Sequence, residues 1–134
     1  MLGKPVLSSK APAPLPFLSQ AISINGFIFC SGQIGVDPST GVLVEGSIQE
    51  RTKRIMLNLN AVLEAAGTDL TNAVKVNIFL TSLKDFPAVN ETYIEFFPGD
   101  VKPARTCVGV RELPFGTDVE IECVAAGGSP GTRL

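Results

Sequence analysis

The stretch KPARTCVG, residues 102–109, sets an arginine and a cysteine two positions apart just after a proline, in a chain with no histidine. Strand positions two apart share a face, so Arg105 and Cys107 are expected to point the same way. A half-buried guanidinium needs an anion, and the plain reading is a structural ion pair with a carboxylate of the fold. Glu120 is one candidate partner. It shares a strand face with Glu122 in VEIEC, while Val119, Ile121 and Cys123 take the other face. The competing reading of the two glutamates is a solvated polar surface.

The missing histidine excludes Ser-His-Asp triads, Cys-His pairs and H-E-x-x-H metal sites together. Acid–base work is left to carboxylates, Tyr93, lysines, thiols or water. Neither a P-loop nor a strand-linked G-x-G-x-x-G is present, so no nucleotide cofactor is expected. Cys30, Cys107 and Cys123 are odd in number, widely spaced and without a C-x-x-C pair, which argues against a disulfide framework and against a zinc site.

Elements must hold these groups in place, and 134 residues suffice for one domain spanning 1–134. A hydrophobic content of 45% against 18% charged residues is rich for such a size and points to apolar surface buried between copies of the chain. The net charge of −2, without any lysine or arginine block, argues against a nucleic-acid partner. Apolar runs fall well short of the ~20 residues of a membrane span. The opening MLGKPVLSSKAPAPLP lacks a signal-type apolar region, so a soluble, cytoplasmic protein is expected. The terminal TRL loosely resembles a peroxisomal address, a frayed polar tail over about 127–134 being the alternative.

Residues 1–16, rich in Pro, Ala and Ser, are expected to be extended, with order beginning near Phe17. AISI (21–24) and FIFCSGQI (27–34) read as hairpin arms joined by Asn25-Gly26, a pair suited to a type I′ turn. GVLVEG is a possible further strand. Ser47 and Glu50 form a capping box, after which apolar residues recur at helical spacing until Gly67. The run 74–83 reads as a strand, and Asp85–Phe97 as a shorter helix whose aromatic residues, Phe86 and Tyr93 among them, belong to the core. Strand 104–113 then turns into strand 119–126. The expected architecture is α+β, a mixed sheet with two helices on one face and a partner subunit on the other. If the last two strands form a hairpin, Arg105 lies opposite 126 and Glu120 opposite 111. That offset of six positions, roughly 20 Å, forbids a same-chain ion pair.

Together S-Q-A (19–21), F-x-S-G-Q-I-x-x-D-P-x-T-G (29–41), N-L-x-A-V-L-E-A-A-G (58–67), V-K-x-x-x-F-L (74–80), D-F-x-x-V-N-x-x-Y-x-x-F-F (85–97), P-A-R-x-C-V (103–108), L-P (113–114) and E-I-E (120–122) resemble the YjgF family, with its RidA-type imine deaminases. The resemblance spans about residues 11–126. It implies a chorismate-mutase-like fold, a homotrimer with clefts between subunits, and cofactor-free hydrolysis of short 2-imino acids to 2-keto acids and ammonia. It also implies that Arg105 forks the substrate carboxylate and that Glu120 orients or deprotonates water. Cys107 and Gly32 would offer main-chain groups, with Ser31 and Asn90 lining the cleft. Cys107 has no visible base and is expected to line a wall rather than attack. A member of the same family that binds a small carboxylate without turning it over, or acts as an interaction module, is the alternative.

One position departs from the family pattern. Deaminases of the family read G-P-Y-S-Q before the first strand, and the tyrosine helps close the pocket; here P-F-L-S-Q puts Leu18 there, or Phe17 if the loop slips by one. A lost hydroxyl contact is worth on the order of 1 kcal/mol, about fivefold in rate. Leu18→Tyr is therefore expected to raise the rate of imine hydrolysis by about that factor, and an unchanged rate would show that the positions are not equivalent.

Overall fold

The computed structural model describes residues 2–127. Asn25 and Gly26 both take positive φ, 51° and 79°, and this turn joins β2 (Ala21–Ile24) to β3 (Phe27–Gln33) as an antiparallel hairpin. The Ser47 side chain accepts from the Glu50 N–H at 3.2 Å and starts α1 (Ile48–Ala65), which Gly67 closes at φ 86°. Ile55, Met56, Leu59, Val62 and Leu63 form one fully buried stripe along α1. Each such side chain contributes about 1.5–3 kcal/mol on burial, so this stripe is the principal anchor of helix to sheet.

The sheet has six strands in the order β1-β2-β3-β6-β4-β5, with β1 at Lys4–Val6, β4 at Ala73–Leu80, β5 at Ala104–Gly109 and β6 at Val119–Ala126. All neighbours are antiparallel except β4 and β5, which run parallel. Val76, Ile78 and Leu80 of β4 and Val119, Ile121, Cys123 and Ala125 of β6 are buried on the helix side. The second helix, α2 (Phe86–Tyr93), lies on the crossover between β4 and β5 and continues as a 3-10 turn over Ile94–Phe96. On the face away from the helices, Phe27, Phe29 and Val108 are partly exposed. The YjgF-type α+β reading therefore holds in its sheet and helices.

Several expectations are corrected. Order starts before Phe17: β1 pairs with β2, and the buried Gln20 amide accepts from the Ser8 N–H and donates to the Ser8 and Pro12 carbonyls. GVLVEG contributes a single bridge, Val36 to Leu43, rather than a strand. The strand at 104–113 stops at Gly109. It forms no hairpin with β6, because β4 lies between the two. The TRL tail lies outside the described residues.

Arg51 on α1 binds Asp118 with two parallel hydrogen bonds, Nε to Oδ1 at 2.8 Å and Nη2 to Oδ2 at 2.7 Å, and donates from Nη1 to the Gly46 carbonyl at 2.8 Å. This fork ties the first turns of α1 to the loop before it and to the entry of β6. Hydrogen bonding from Arg51 holds the Asp118 carboxyl below its ordinary value. A depressed folded-state value makes the ion pair stabilising above the unfolded value and loses that stability as pH falls through the folded one. Asp118→Asn is expected to lose about 1–2 kcal/mol at neutral pH, between an exposed pair and a charged buried hydrogen bond. Denaturant unfolding should show the two proteins converging below about pH 4.

Candidate functional site

Arg105 comes to the sheet edge on β5, in register with Val76, and its side chain rises toward α2. Its Nη1 donates to Asn90 Oδ1 at 2.6 Å, and its guanidinium carbon lies 5.3 Å from the Phe86 ring centre and 4.9 Å from that of Tyr93. Among the described residues no carboxylate stands within ion-pairing distance of Arg105; the ion pair present joins Arg51 and Asp118. The structural ion pair weighed for Arg105 is thus taken by a different arginine. The cation is held by one neutral oxygen and two aromatic faces, which attract it without cancelling its charge.

Beside it is a cleft of about 520 Å³, walled by Asn90, Glu91, Tyr93 and Ile94 of the helical segment and by Lys102, Pro103 and Arg105. The Val110 N–H donates to the Leu80 carbonyl at 2.7 Å. Main-chain direction alternates along a strand, so the N–H and C=O groups of Arg105, Cys107 and Gly109 turn away from β4 to the free edge. Cys107 is half-buried on the same strand face as Arg105. Burial raises its thiol, Arg105 opposing in part, and a thiol so raised stays protonated at neutral pH.

Glu120 lies elsewhere. It is level with Phe79, whereas Arg105 is level with Val76 and hence with Cys123, so the two side chains leave opposite faces of the sheet. Three positions along and two strands across place their backbones roughly 14 Å apart. A same-chain ion pair is excluded, as expected, but through the interposed β4 rather than through a hairpin register. Around Glu120 a second group gathers. The β3–β6 pairing shifts between Cys30 and Gln33, and a Cβ on Gly32 in that irregular stretch would overlap the Glu120 carboxylate, with Cδ 2.9 Å away. Ser31 donates from its hydroxyl to the Ser19 carbonyl at 2.6 Å. It also lines a recess of about 470 Å³ with Pro16, Phe17, Leu18, Ile22 and Phe29.

One chain therefore brings together Asn90, Arg105 and Cys107, and separately Ser31 with Leu18 and Gly32 with Glu120. Tyr93 is buried in the core, as read from the sequence, whereas Phe86 is partly exposed, and both also stand against the guanidinium; the 86/90/93 spacing, i, i+4 and i+7 on one helical face, was the available signal for that second role. Burial raises the Tyr93 hydroxyl to about 12, so it remains neutral.

A six-stranded mixed sheet with both helices on one face defines an α+β domain of the YjgF type. The sequence profile of the family described as Endoribonuclease L-PSP matches residues 8–127, and the chain belongs to this YjgF family. A RutC family protein of Aquifex aeolicus is 50% identical over 121 residues, covering 90% of this chain and 96% of that one. The 2-iminobutanoate/2-iminopropanoate deaminase of Rattus norvegicus is 44% identical, with 96% and 93% covered. Among solved structures, E. coli TdcF with bound serine superposes with a TM-score of 0.86 at 33% identity, over 92% of this chain and 98% of that one.

Burial is the first cause that raises the Glu120 carboxyl above its ordinary 4.5, and the charge of Glu122 adds to it. For an acid the sign is unfavourable: the folded state loses stability as pH rises from the unfolded value through the folded one. Glu120→Gln is expected to raise the thermal midpoint at pH 7, with the gain vanishing below about pH 4, as a scan of melting temperature against pH would register.

Proposed function

We propose that this protein hydrolyses short 2-imino acids, 2-iminobutanoate and 2-iminopropanoate, to 2-keto acids and ammonia without a cofactor. The observation that carries the reading is Arg105, a sheltered guanidinium with neutral partners and free N–H groups beside an open cleft. Its planar fork matches a substrate carboxylate in a way a lysine does not. The deaminase name of the rat relative, at 44% identity, supports the same chemistry.

In this reading the outward main-chain groups at Cys107, with main-chain groups at Gly32, hold the substrate. Water adds to the protonated imine carbon as Glu120 accepts its proton. Glu120 then passes that proton to the carbinolamine nitrogen, and as C–N breaks and ammonia leaves, the hydroxyl gives its own proton back to Glu120 and the carbonyl forms. Little more than positioning and electrostatics is required, because the carbon is already electrophilic. A carboxylate made more basic by burial is the better proton acceptor. Arg105 and Glu120 lie on opposite faces of one sheet, so a complete site draws them from neighbouring copies. The partly exposed face with Phe27 and Phe29 fits a homotrimer. Among the described residues no helix is long and apolar enough to cross a membrane, and we assign the activity to the cytoplasm. The net charge of −2 favours a small anion held at a local cation over a nucleic acid. Leu18 favours one second reading, a cleft that binds small carboxylates without turnover.

Coupling the protein to a dehydratase that releases 2-imino acids, with semicarbazide trapping what remains, tests the reading. Two charged hydrogen bonds of about 1.5–3 kcal/mol each set the scale, so Arg105→Ala is expected to lose at least about 100-fold in kcat/KM. Imine loss at the buffer rate with the wild-type protein would eliminate the deaminase.

A further inference from the structure

Three residues of α2 converge on one guanidinium. Phe86, Asn90 and Tyr93 follow at i, i+4 and i+7, and all three meet Arg105, Asn90 through one hydrogen bond and the two rings through their faces. Asn90 takes one of the five N–H donors an arginine carries, and the rings take none. Tyr93 is itself backed by Phe97, ring centres 4.9 Å apart, and the Phe97 carbonyl accepts from Lys102. Among the described residues the buried Tyr93 hydroxyl has no hydrogen-bond partner, so its contribution here is the ring. An aliphatic side chain could fill similar space but would offer no negative face to orient a cation.

We propose that Phe86 and Tyr93 are positioning residues that lock the plane of the Arg105 fork, presenting its remaining N–H groups to a carboxylate while leaving its charge uncancelled. This rests on the reading that Arg105 receives the substrate carboxylate. The rings act through Arg105 and need not touch the substrate. Removing a ring is therefore expected to weaken carboxylate binding and leave the chemical step largely alone.

Phe86 is 39% exposed, so its replacement does not open the core. The test measures the Kd for 2-oxobutanoate by calorimetry, the KM and kcat of semicarbazide-trapped imine hydrolysis, and the thermal midpoint. Phe86→Leu is expected to raise Kd and KM together by about five- to tenfold, within the range of a partly desolvated cation–π contact. Its kcat should stay within about twofold and its midpoint unchanged, and Phe86→Tyr should restore binding. Tyr93→Leu should weaken binding in the same way, and Tyr93→Phe, which keeps the ring, should restore it. If Phe86→Leu binds like wild type while Arg105→Ala does not bind, positioning is overturned and the carboxylate reading survives. If Arg105→Ala itself binds and turns over normally, the carboxylate reading falls and positioning with it. A Phe86→Leu protein with midpoint and kcat lowered alongside binding would mark a merely structural ring and overturn the proposal.

Discussion

The parallel pairing of β4 with β5 is the constraint on which the remaining arrangement depends. Two parallel neighbours cannot be joined by a tight turn; the chain must travel back to the starting end, and here it does so through α2. The crossover lays α2 beside the edge strand and brings Phe86, Asn90 and Tyr93 over Arg105. An antiparallel β5 hairpinned to β6 would have left the arginine without these neighbours. Central strand β4 fixes the geometry by burying Val76, Ile78 and Leu80 under the helices, so its register against both β5 and β6 cannot slip by one residue without turning that apolar set outward.

The same topology separates charges that would otherwise cancel. Arg51 and Asp118 meet in a bidentate fork and are spent on structure. Arg105 lies across β4 from β6, on the face opposite Glu120, and is held by partners with no formal charge. An Arg105–Glu120 pair within one chain would satisfy both groups and leave neither with attraction for a ligand. For Glu120 the burial that raises its carboxyl is unfavourable to the folded state at neutral pH.

Features decided by neighbours in the chain were legible in the sequence. The Asn25-Gly26 turn, the Ser47 cap and the Gly67 terminus depend on local backbone chemistry, and they formed where their residue types require. The position of β5 was not legible in this way, since chain adjacency favours a hairpin and only packing selects the insertion of β4. Short β1 was hidden for a related reason: three residues with Pro5 in the middle carry no strand pattern, and Gln20, a distant side chain, pins the segment that follows it. Arg105 stood out by residue type alone. The ring contacts did not, because an apolar stripe on α2 serves a core and a cation equally well until the element beneath it is known.

Gly32 shows how backbone irregularity and charge placement combine. The β3–β6 register shifts between Cys30 and Gln33, so the Ser31-Gly32 segment falls out of the regular ladder. Irregular pairing leaves main-chain groups available at the cost of cohesion, and a residue with a side chain here would drive into the Glu120 carboxylate. Only glycine lets β3 approach this closely while the carboxylate keeps its place on the open face. The close approach in turn helps shelter the carboxylate from water, the condition that makes it more basic. The missing side chain thus allows the close approach that raises the basicity of Glu120, beside a backbone that the register shift has taken out of the ladder.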